Sequence, residues 1–210
     1  MTKHPNKLKE ECRQESYEYY HENIEPLPKK EDGSFDESSG KMSNNEADAF
    51  RHAYTSGVFS KEYYSKTIAD FLGQGNEIKN PNPENQRNMD LWNNNVGRKY
   101  SKKSKNRQEL AQLLKIALKN GELIISLDDP RKYDGPKPLI NLERSVIMIK
   151  QKASGLNEMF YDFIKEKMMS LDEFIEEIKK GNYQGYQIIE NKGTEYVRSK
   201  PDKVTSNNLG

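Results

Sequence analysis

Between Ser43 and Gly121 the sequence carries its own helix boundaries, and this punctuation limits the fold more than any other feature. Ser43 followed by Glu46 is a capping box, in which each side chain can satisfy a backbone N–H at a helix entrance. It predicts a helix from Ser43 to about Gly57. A second helix is expected over 60–73, where Tyr63, Tyr64, Ile68 and Phe71 recur at helical spacing. The stretch QGNEIKNPNP then breaks the chain. Asn82 before Pro83 opens the next helix, since proline suits the first helical position, and that helix reaches about residue 102. Leu110, Leu113, Leu114, Ala117 and Leu118 form the inward stripe of a helix over 107–120, which Gly121 ends.

The flanks read less sharply. Residues 6–24 form a polar helix with a thin stripe of Tyr17, Tyr20 and Ile24, stopped by Pro26 and Pro28. Residues 25–42, rich in Pro, Gly, Ser and charge, read as a flexible loop. A second breaker, DDPRKYDGPKP, spans 128–138. Helices are expected over 141–152, over 155–168 and, capped by Ser170 with Glu173, over 170–180. Residues 186–198 alternate around NKG and predict a hairpin, and the last dozen residues read as a disordered tail. The expected organisation is an N-terminal helix (1–24), the loop (25–42), a core helical domain (43–127), C-terminal helices with a hairpin (139–198) and a tail (199–210). The fold class is mainly α, a compact multi-helix domain with a small C-terminal β-hairpin.

Only 33% of the 210 residues are hydrophobic and the mean hydropathy is -1.07, so the core has to draw heavily on the 12 Tyr and 7 Phe. Tyrosine can bury its ring while its hydroxyl stays wet. Charged residues reach 32%, but the net charge is +1, which gives no global pull toward nucleic acid or an anionic membrane. The single cysteine, Cys12, excludes an intramolecular disulfide and a Cys-rich zinc site, and reads as an inert residue of the first helix. No apolar run approaches the roughly 18 residues of a membrane span, and the N-terminus shows no signal peptide. The expectation is a chain made in the bacterial cytoplasm and exported, if at all, by a specialised secretion system.

The chemistry concentrates in NNEADAFRHAYTSG, residues 44–57. Asp48 and His52 are four residues apart and share one helix face. Asp90, Asn94 and Arg98 repeat that spacing on a later helix. Ala49, Phe50 and Ala53 could pack against Met89, Trp92 and Val96, which would bring His52 near a carboxylate of each helix. Such a group suits general-base catalysis, with His52 taking a proton and Asp48 and Asp90 orienting and stabilising the imidazolium. It also suits a divalent cation on Asp48 and Asp90 as metal ligands. Arg51 or Arg98 could bind an anion, and Asn93 or Asn94 could position a substrate. The plainer alternatives stay open. Asp48 and His52 can be a helical ion pair, and Asp48 and Glu46 suit the positive end of a helix dipole. The Asn93–Asn95 run either breaks its helix or faces a polar site. Gly97 marks either a close backbone approach or a helix end. Trp92 reads as core, and His4 and His21 as surface residues.

DAFRHAYTSG, followed some forty residues on by NPENQRNMDLWNNNVGR, resembles a bacterial domain with DAFRHAYW and MDLHNNxVGR motifs. That domain lies near the C-termini of large polymorphic-toxin proteins, including Rhs-type and wall-associated ones. The resemblance covers roughly residues 44–121. It is carried by Asp48 to Tyr54 and by Met89, Asp90, Leu91, Asn93, Asn94, Val96 and Gly97; Trp92 stands where the motif has a histidine. It implies a toxin or effector context, with a cognate immunity protein as partner, and names no reaction.

The leading expectation is therefore an effector or toxin hydrolase acting on a phosphoester or another ester, a lipid among the substrate classes. A non-enzymatic helical adaptor that binds a protein partner, and a phage or secretion-apparatus structural protein, are the rival classes.

Overall fold

The computed structural model describes residues 2–63, 68, 82–135 and 144–201. The first helix, α1 (Pro5–Asn23), starts on a proline and is capped by His4, whose Nδ1 accepts from the Asn6 N–H. The second, α2 (Glu46–Glu62), begins two residues later than the Ser43 capping box predicts. Asn44 takes a left-handed φ of 53°, which asparagine tolerates, and Asn45 becomes the cap, accepting from the Asp48 N–H. Gly57 does not end α2, which continues to Glu62, so the first residues of the helix expected over 60–73 belong to α2. The rest of that helix lies largely outside the described residues. Two further helices, α3 (Glu84–Ser101) and α4 (Arg107–Lys119), follow the predicted boundaries closely, and Gly121 turns the chain out of α4 at φ 69°. No helix among the described residues is long and apolar enough to cross a membrane.

The helices α2 and α3 form the main helix–helix contact. They cross where side chains are smallest. A Cβ on Gly97 would sit 1.9 Å from the Ala53 carbonyl oxygen, and one on Gly57 would meet Leu110 at 2.8 Å and the Gly97 carbonyl at 3.0 Å. Of the two readings of Gly97, close backbone approach is the one realised. Phe50, Ala53, Val58 and Met89 are fully buried around this crossing, with Leu8 and Cys12 of α1 and Leu110 and Leu114 of α4 in the same core.

The stretch 25–42, expected to be a flexible loop, lies against α1. Leu27, Phe35 and Met42 are buried, Lys29 and Phe35 form an isolated bridge, and the Phe35 ring meets Tyr17 edge-on. His21 Nδ1 accepts from the Leu27 N–H at 2.8 Å, and Arg13 reaches Glu37. Three apolar residues in a polar stretch are enough to anchor it.

The C-terminal part departs most from expectation. The segments read as helices over 141–152 and 155–168 are strands: β1 (Val146–Gln151), β2 (Asn157–Asp162) and β3 (Lys167–Ser170) form one antiparallel sheet in that order. The helix α5 (Leu171–Lys179) follows with the expected Ser170–Glu173 capping box, then the hairpin β4 (Tyr186–Asn191) and β5 (Thr194–Ser199). The three-stranded sheet is buried on both faces. Ile147, Ile149, Tyr161 and Phe163 join the core of the helices, while Val146, Met148, Phe160 and Met169 pack with Phe174, Tyr183 and Tyr186 under α5 and the hairpin. The molecule is thus mixed α/β, helical in its N-terminal part, with small antiparallel sheets at the C-terminus. Of the tail, only residues up to 201 are described.

Candidate functional site

The four-residue spacings on α2 and α3 are brought face to face. The side chains of Asp48, Arg51 and His52 project from α2, and Asp90 and Asn94 from α3. His52 Nε2 lies 3.2 Å from Asp90 Oδ1 and 3.5 Å from Asp48 Oδ1, and a side-chain hydrogen bond links His52 to Asn94. One donor atom each from Asp48, His52 and Asp90 falls within 4.8 Å of the others. Arg51 Nη2 is 2.5 Å from Asp48 Oδ1 and 2.8 Å from His52 Nε2. The cluster is recessed without being sealed, since 18% of the His52 and 16% of the Asp90 side-chain surface stays open to solvent.

Asp48 is fixed before any chemistry begins. Its Oδ2 accepts from the Asn44 N–H at 2.8 Å, which ties the left-handed residue to the first turn of the helix. Burial opposes its charge, but Arg51 and the Asn44 N–H, joined by His52 whenever that imidazole is protonated, overcome the penalty and hold its pKa below the usual aspartate value. Burial, then the neighbouring guanidinium of Arg51, lowers the His52 pKa well below that of a free imidazole. A neutral imidazole is a competent metal ligand.

The proton inventory of Nε2 is informative. Arginine only donates, so Nε2 must accept from Arg51. One nitrogen cannot accept that proton and also donate to Asp90 at 3.2 Å. The contact with Asp90 therefore sets two acceptors face to face; a shared cation would make that arrangement favourable by taking the Nε2 lone pair in place of the Arg51 N–H. Two carboxylates and an imidazole nitrogen form a donor set for a divalent ion.

The other expected site residues fall outside this cluster. Asn93 is fully buried on another side of α3, where its amide donates to the Ile124 carbonyl at 2.8 Å and accepts from the Ile124 N–H at 2.9 Å. It is a clamp on the chain after α4. Trp92 donates to the Glu122 carbonyl at 2.8 Å and carries Arg131 over its ring, so the residue that replaces the motif histidine also stands apart from the cluster. Arg98 reaches the Ser56 hydroxyl, one turn beyond His52. Lys9 and Tyr17 of α1, which sequence reasoning did not connect with this region, also come near Arg51, Lys9 with Glu10 and Glu166 around it and Tyr17 with Glu37 and Asp48. Their signal was available in the positions 9, 13 and 17, which share one face of α1.

Fold and site together define a helical unit built around a carboxylate–imidazole cluster, followed by a small α/β unit. The chain belongs to the family described as "Domain of unknown function (DUF6973)", whose pattern matches residues 7–122 and so contains every residue of the cluster. Residues 146–210 match a second family, "Protein of unknown function (DUF3892)", which takes in both sheets and α5. No curated protein and no solved structure matches the chain.

Proposed function

We propose that the protein is a bacterial effector or toxin that hydrolyses an ester, a phosphoester first among the substrate classes, at the cluster between α2 and α3. The observation that carries this reading is the convergence of Asp48, His52 and Asp90 from two helices, with donor atoms within 4.8 Å of one another. Asp48, Asp90 and His52 would hold a divalent cation, which supplies charge to polarise the ester and to acidify a water. Asn94 fixes the imidazole, and Arg51 sets a positive charge beside the place where negative charge develops. In a cation-free reaction the same His52 would be the general base, with the two carboxylates stabilising the imidazolium. The toxin context is supported by the DAFRHAY and MDLWNNNVGR motifs, with a cognate immunity protein as the expected partner and a specialised secretion system as the route.

The test is expression of wild type, His52→Ala and Asp90→Asn in the bacterial cytoplasm and, separately, in the periplasm. It is joined to assays of the purified chain on an aryl phosphodiester and an aryl acetate, with and without chelator. Wild type should be toxic in one compartment. Each substitution should abolish toxicity and hydrolysis in a folded protein, and the double variant should be no worse, because groups that act as a unit are not additive. Chelator sensitivity separates the cation-dependent reaction from the cation-free one. A folded, fully active His52→Ala protein would end this reading. One observation favours the rival, a non-enzymatic adaptor: Asp48 is bonded to the Asn44 backbone and to Arg51, as a purely structural network would be. On that reading the substitutions lower the melting temperature by several degrees and reveal no hydrolysis to lose.

A further inference from the structure

The cluster between α2 and α3 already contains a cationic group, and it is held in an uncommon way. Arginine usually grips a carboxylate through two parallel N–H bonds. Arg51 instead brings one nitrogen, Nη2, to two acceptors, Asp48 Oδ1 at 2.5 Å and His52 Nε2 at 2.8 Å. Its Nε is buried with no acceptor among the described residues. Buried donors are almost always paired, so this pose is not the one that best satisfies a guanidinium. It does bring a positive charge onto two of the three residues whose donor atoms converge, the third being Asp90, with Oδ1 3.2 Å from the same Nε2. Arg51 therefore touches the donor set much as a small cation would.

An ion and Arg51 exclude one another at His52. Nε2 has one lone pair, which accepts an N–H or binds a metal, never both at once. Two features equip the cluster for an exchange. The Asp48 carboxylate does not rely on Arg51 for its aim, because its Oδ2 accepts from the Asn44 N–H at 2.8 Å. And 23% of the Arg51 side-chain surface is open to solvent against 6% for Asp48, so the arginine has room to rotate outward and the aspartate does not. The donor atoms also select the ion. Calcium and magnesium favour sets made wholly of oxygen, whereas an imidazole nitrogen favours a first-row transition ion such as zinc. Nε2 lies 3.5 Å from Asp48 Oδ1 and 3.2 Å from Asp90 Oδ1, spacings that suit ligands about 2.0–2.2 Å from a shared ion.

We propose that the cluster takes one first-row transition-metal ion and that Arg51 is its built-in competitor, so that the ion binds by displacing the guanidinium from His52. Metal supply then switches the site, since the step that loads the ion also frees Arg51 to face an anion in the same cleft. That last consequence rests on the hydrolytic reading; the exchange itself does not.

Metal binding is the readout that keeps the two apart. The full chain is stripped with chelator, dialysed and titrated calorimetrically with zinc, and separately with magnesium, as wild type, Arg51→Gln and His52→Ala. Wild type should bind one zinc ion per chain and bind magnesium at least about a hundredfold more weakly. Arg51→Gln should bind zinc about tenfold tighter or more, because a charge-assisted hydrogen bond no longer has to be broken. His52→Ala should lose about a hundredfold or more. In 15N-labelled wild type, the guanidinium signals of Arg51, assigned by their absence from Arg51→Gln, should move to the positions of a free arginine as zinc saturates. These signals decide the matter if Arg51→Gln does not fold. Zinc affinity in folded Arg51→Gln equal to or below that of wild type, or Arg51 signals unmoved at saturation, overturns the exchange. No saturable zinc binding overturns the site, and magnesium bound as tightly as zinc overturns the class of ion. Zinc bound with Arg51 displaced and no ester cleaved leaves the exchange standing and removes the hydrolytic reading. Ester hydrolysis by wild type whose Arg51 signals ignore zinc does the reverse.

Discussion

Three consecutive asparagines on α3 meet three different fates. Asn93 is sealed in the core and bonded twice to Ile124, Asn94 meets His52, and Asn95 is exposed. The clamp gives a quantitative prediction. Asn93→Ala strands one buried backbone N–H and one buried carbonyl, at about 1–3 kcal/mol each, so it should cost about 3 kcal/mol. Asn95→Ala should stay within about 0.5 kcal/mol. Denaturant unfolding of the two variants measures both, and an unfolding midpoint for Asn93→Ala equal to that of wild type would dismiss the clamp. The sequence identified this run as needing compensation but could not divide the roles. Neighbouring residues on a helix differ by roughly 100° in direction, and which direction meets the chain at 122–124 is decided by a loop that comes thirty residues later. By contrast, the group of Asp48, His52, Asp90 and Asn94 was legible, because equal spacing on two helices survives any modest error in where each begins.

At the scale of elements, the close crossing of α2 and α3 sets the distance between the two halves of the site. A methyl group on Gly97 would fall 1.9 Å from the Ala53 carbonyl, a backbone atom that cannot move alone. Gly97→Ala should therefore push the helices apart, cost about 3 kcal/mol or more by overpacking, and lengthen the His52–Asp90 contact. Gly121→Ala faces open space at φ 69° and should cost only about 1 kcal/mol, the strain of a left-handed alanine. Thermal melting separates the two, and equal losses would contradict the crossing geometry. The helices of the N-terminal part were legible from their stripes and caps. The first three strands were not, and the reason is burial on both faces. Val146, Ile147, Met148 and Ile149 alternate between two cores, so every position is apolar and the period-two signal disappears. The hairpin β4–β5, with one exposed side, kept its alternation and was read correctly.

Across the whole molecule, a chain short of aliphatic residues builds its core from phenols and then finds partners for them. Tyr54 donates to Glu15, Tyr63 to the Lys3 carbonyl, Tyr161 to Asn6 and Tyr183 to Asp162, where composition alone suggested hydroxyls left in water. Burial first, and a nearby carboxylate next, raises each of these pKa values above the ordinary 10.0. A raised folded-state pKa stabilises the fold fully below the unfolded value, and that stability is lost as pH climbs from about 10 through the folded values. In an alkaline titration, the phenolate absorbance of these residues should appear late and together with unfolding. Coincident titration curves for native and denatured protein would refute this. The doubly buried sheet has a further consequence, for how such chains recombine. The boundary between the two matched families, at 122 and 146, is drawn in sequence, yet Ile147, Ile149, Tyr161 and Phe163 of the second unit complete the core of the first. Neither unit is a free-standing cassette here: each keeps an unfinished apolar wall that its neighbour plasters over. A gene fusion that joins either unit to a new companion inherits that wall, and the companion must bring a matching apolar surface or the product will stick to itself.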